Sequence, residues 1–69
     1  MRITKDYDVA NGVVILTLEN PPLPTTRHTI VASALADGTV SLEGEIERLT
    51  ELANGQLAAH LAVVEMLNE

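Results

Sequence analysis

The sequence predicts a small α+β domain, ordered ββββα, in which two hairpins form an antiparallel sheet against one C-terminal amphipathic helix. Three observations carry this. Strand-like runs flank an Asn11-Gly12 pair, a second set flanks Asp37-Gly38, and from residue 43 the apolar period changes from two to about 3.6. The 69 residues then make one domain: hairpin 1–20, connector 21–26, second hairpin 27–42 and helix 43–69.

Asn-Gly is the preferred pair for a type I′ turn, with positive φ at both residues. Closing two residues there sets Ala10 against Val13, and the register follows outward. Ile3, Lys5, Tyr7 and Val9 then share a face with Val14, Leu16 and Leu18. Thr4, Asp6 and Asp8 fall opposite Ile15, Thr17 and Glu19, so one face is apolar and the other mixed. Pro21, Pro22 and Pro24 remove three backbone donors and make a stiff, extended connector. Its Pro-Pro-Leu-Pro run also resembles the four-residue ligands of some WW domains.

In the second hairpin an Asp37-Gly38 turn pairs Leu35 with Val40 and Ser33 with Leu42, with Val31 on the same face. A competing pattern makes residues 29–36 a short helix stopped by Gly38. Thr29, Ile30 and Val31 favour the strand, and the three alanines that follow favour the helix; the strand is the preferred assignment.

Beyond Ser41 the spacing is helical. Ile46, Leu49, Ala53, Leu57, His60, Leu61, Val64 and Leu67 make one stripe, which Leu52, Ala59, Val63 and Met66 widen to roughly 200°. A helix lying on a core needs about half that width. The stripe is expected to cover the sheet, and Leu52, Ala59, Val63 and Met66 to meet a second protein surface. Gly55 costs about 1 kcal/mol in a helix interior. It admits either a helix kinked there or an αα-hairpin split at Asn54-Gly55, and the unbroken phase of the stripe favours one helix.

Charge is distributed unevenly. The net charge is −6, and residues 43–69 hold six Glu and one Arg. Glu43, Glu47, Glu51, Glu65 and Glu69 line the helix face opposite the stripe, and Glu43, Glu47 and Glu51 form a candidate docking face for a basic partner. This balance argues against direct nucleic-acid or anionic-membrane binding, which need basic patches. No stretch is long and apolar enough to span a bilayer, and the absence of cysteine fits a reducing compartment, so a cytoplasmic protein is expected.

No constellation for catalysis is legible, and the chain is expected to be no enzyme, with no catalytic residue, metal ligand or cofactor. His28 and His60 are the only side chains that titrate near neutrality. Neither has a second His at i+4, and there is no HExxH motif or glycine-rich phosphate loop. His28 is expected on the surface of a strand, and His60 half-buried on the stripe.

The segment YDVANGVVILTLENPPLP resembles the opening hairpin of the crotonase (enoyl-CoA hydratase) superfamily, over 18 of the 69 residues. The resemblance implies a hairpin leading into a Pro-containing segment. It implies no activity, because that family's hairpin holds no catalytic residue.

The functional expectation is a non-enzymatic protein–protein interaction module that pairs with itself as a dimer and binds another protein. Small acidic cysteine-free chains of this kind are common among phage and mobile-element accessory proteins, including inhibitors of host proteins. The alternative is a structural or assembly subunit of a larger heteromeric complex.

Overall fold

The computed structural model describes residues 1–68. Along the chain lie β1 (Arg2–Asp8), β2 (Val13–Glu19), β3 (Thr26–Val31), α1 (Ala32–Ala36) and α2 (Leu42–Leu67). The fold is α+β, with the strands in the order β1-β2-β3 and both pairings antiparallel.

The first hairpin keeps its expected faces and changes its register. Asp8, rather than Ala10, pairs with Val13, and residues 9–12 form a four-residue loop. Asp8 accounts for the longer loop. Its carboxylate accepts from Nδ2 of Asn11 at 2.7 Å and from the Asn11 backbone N–H at 3.3 Å, an Asx-type closure. Those bonds hold the Asp8 carboxyl below its ordinary range. Within the loop only Gly12 has positive φ, at +63°, so the type I′ turn with positive φ at Asn11 is not formed. The slip is two residues, and a side-chain period of two returns each residue to its own face. Ile3, Lys5 and Tyr7 thus remain beside Leu18, Leu16 and Val14, while Val9 leaves the strand for the loop.

The second hairpin is replaced by a strand and a short helix, and no fourth strand occurs among the described residues. β3 ends where the β-branched run ends, at Val31. The Ala-rich ASALA that follows prefers a helix and forms α1. Gly38, at φ +82°, turns the chain back, and Asp37 Oδ1 accepts from the Thr39 N–H at 2.8 Å. Leu35, Val40 and Leu42 still pack against the core, from helix and turn rather than from paired strands. Val31 pairs with Val13 on the opposite, outer face and is exposed.

Ser41 caps α2, its Oγ accepting from the Gly44 N–H at 3.2 Å, with Glu43 and Glu45 in the first turn where the helix dipole favours negative charge. The helix runs 26 residues without interruption through Gly55, so the αα-hairpin is not adopted. Glu69, the last residue of the expected helix, lies outside the described residues.

The core is small and aliphatic. Leu16, Leu18, Ile30, Leu49 and Ala53 are buried, and Ile3, Val14, Leu35, Val40, Leu42 and Ile46 close around the cluster. Among the described residues one polar residue is buried with them. Asn20 continues the alternation of Leu16 and Leu18, and its Nδ2 donates to the carbonyl of Ala53 at 3.2 Å. The end of β2 is thereby tied to the middle of α2.

Gly12 and Gly55 give expectations of opposite sign. Gly12→Ala puts a side chain on φ +63° and should lower stability by about 1 kcal/mol. Nothing lies within 4 Å of where a Cβ would stand at Gly55, so Gly55→Ala should raise stability by about 1 kcal/mol. Urea midpoints of the two variants check both signs, and a loss at Gly55→Ala would place a chain break there.

Candidate interaction surface

A strand of seven residues spans about 23 Å, whereas a 26-residue helix spans about 39 Å. The protein is accordingly elongated, 51 × 21 × 14 Å. Its radius of gyration is 14.9 Å, against about 11 Å for a compact chain of this length. The Asn20–Ala53 bond marks where α2 leaves the sheet. Leu49 and Ala53 are the buried residues of the helix, Leu57 and His60 are half-buried, and every described residue from Leu61 onward is exposed.

What is exposed there is apolar. Leu61 is 56% exposed, Val64 41%, Met66 70% and Leu67 80%. The stripe expected to cover the sheet is therefore divided by length. Ile46, Leu49 and Ala53 do cover it, while Leu61, Val64 and Leu67 project past its end. Leu52, Ala59, Val63 and Met66, expected on a second surface, are all exposed. Leu52 lies alongside the covered half, and the other three belong to the projecting half. In the last two turns, from Leu61 to Leu67, the apolar arc has no protein against any part of it. Helical phase puts Leu61, Val64 and Leu67 on the sheet-facing stripe, and their exposure follows from the length of the sheet.

Glu43, Glu47 and Glu51 are exposed on the side of α2 away from Leu49, in line with Glu65. Beside this row Arg48 donates to Glu45 Oε2 at 2.8 Å, which holds the Glu45 carboxyl below its ordinary range. Partial burial opposes that lowering, and the charges of Arg48 and of His28 on β3 add smaller contributions to it. His28 is half-buried rather than on the strand surface, because its register opposite Leu16 turns it toward the core. Its Nε2 lies 3.0 Å from Thr26 Oγ1. Among the described residues, no three His, Asp or Glu side chains converge as metal ligands, no pocket opens, and no helix is long and apolar enough to cross a membrane.

Changing Glu43, Glu47 and Glu51 together to Gln removes i,i+4 repulsions of about 0.2–0.5 kcal/mol each. It also removes the favourable charge of Glu43 in the first turn. The unfolding midpoint should move by less than about 1 kcal/mol, while solubility at neutral pH falls. A large loss of helicity in the triple variant would give the row a structural role instead.

Comparison with family models, with curated proteins and with solved structures finds no match for this chain.

Proposed function

We propose that the protein is a non-enzymatic protein–protein interaction module whose working surface is the projecting half of α2. The observation that supports this most is the exposure of Leu61, Val64, Met66 and Leu67 on one continuous helix beyond the end of the sheet. Water gains nothing from such a segment. Burying apolar area contributes about 25 cal/mol per Å², so a protein that covers it gains affinity from a helix already formed. Preorganisation of this kind lowers the ordering cost of association.

An accessory or inhibitor protein of the phage or mobile-element type would use the segment to hold its target. A docking subunit of a larger complex would use it to enter the assembly, and would aggregate when produced without its partner. The acidic row lies on the covered half of α2, away from this surface. Its contribution, where a partner is basic, would be to the rate of encounter, which falls as salt rises.

The surface is tested with an apolar dye and a double variant. The unmodified protein should associate or, where dilution keeps it monomeric, bind 8-anilinonaphthalene-1-sulfonate. Leu61→Gln with Val64→Gln should remove both behaviours and leave the unfolding midpoint of the dilute protein nearly unchanged, since neither residue joins the core cluster. A monomer that binds no dye, and that the double variant does not alter, would contradict the proposal.

A further inference from the structure

Resting on that interaction surface, we infer that its occupant is a second copy of this chain, paired antiparallel about a two-fold axis through residues 57–67 of α2. Area, shape and charge each point there. A compact chain of 7.4 kDa exposes about 4,200 Å², and this one exposes 4999 Å². The surplus is close to the roughly 800 Å² that each partner gives up in a standard interface. A two-fold contact must be complementary to itself, and the segment satisfies that condition. With the axis at Ala62, Leu57 faces Leu67 of the partner subunit and His60 faces Val64 of the partner subunit. Leu61 and Val63 then flank the contact on its two edges, so the contact is apolar apart from His60.

The position of the sheets selects the direction, and charge favours the same choice. Between residues 57 and 67 the only acidic side chain is Glu65, on the side of the helix away from the centre of the apolar arc. Antiparallel pairing separates the two Glu51 positions by about 33 Å along the axis, several times the Debye length of about 8–10 Å in physiological salt. Parallel pairing would set Glu43, Glu47 and Glu51 at the same height as the row of the second copy, on the outer sides of the pair. It would also drive the two sheets toward the same space. The antiparallel arrangement places one sheet at each end and brings Leu67 against the end of its partner's sheet, so the contact extends past the helix pair.

Sedimentation equilibrium and one spin-label distance test this together. The mass should be twice 7.4 kDa at high concentration and fall toward the monomer on dilution, and Val64→Glu should weaken the dimer at least tenfold. The chain has no cysteine, so Glu47→Cys can be labelled uniquely at an exposed site far from the contact. The label-to-label distance should be about 45 Å for the antiparallel pair, against about 10–20 Å for a parallel one. A short distance overturns the antiparallel arrangement. A monomer at hundreds of micromolar that still binds the dye overturns self-pairing and leaves the interaction surface standing. A monomer that binds no dye removes both.

Discussion

The rest of the molecule depends on a mismatch of lengths. Strands of six and seven residues make a sheet that only half of a 26-residue helix can cover. Two contacts decide which half. Leu16 and Leu49 are both fully buried in one cluster, and Asn20 at the end of β2 holds the carbonyl of Ala53. With those points fixed, the next turns must run beyond the sheet. The buried Asn20 amide donates to the Ala53 carbonyl, so a slide of α2 that left this amide without an acceptor would cost about 1–3 kcal/mol.

The same mismatch bears on stability. Five buried aliphatic residues are a modest core even for a small chain. The one aromatic residue, Tyr7, adds little because it stands exposed on β1. Covering the projecting half of α2 would add apolar burial that the monomer lacks, and anything that binds only the folded state stabilises it by mass action. Fold and function would then draw on one surface.

The sequence made some of this legible through periodicity alone. Alternation placed Leu16 and Leu18 on the core face, and a two-residue slip in the hairpin left that placement intact. The slip itself was hidden, because the Asn11-Gly12 pair outweighs the capping strength of Asp8 when only turn propensity is compared. Residues 29–36 held two local preferences in series, strand to Val31 and helix from Ala32, and a single assignment for the whole run had to miss one. Asn20 was visible in principle, since it continues the alternation of Leu16 and Leu18. Its burial was not, because the sequence does not show which element lies over the end of β2. The exposed tail of α2 was not legible, because helical phase tells which face is apolar and nothing about how far the opposing sheet extends.

Amide hydrogen exchange, followed residue by residue along α2 at two protein concentrations, measures the consequence of that overhang most directly. Protection at residues 46–53, which the sheet covers, should be nearly the same at both concentrations. Protection at residues 57–67 should be weak in dilute solution and rise as the concentration increases. Uniform protection along the whole helix, unchanged by concentration, would contradict a half-covered helix completed by a second molecule.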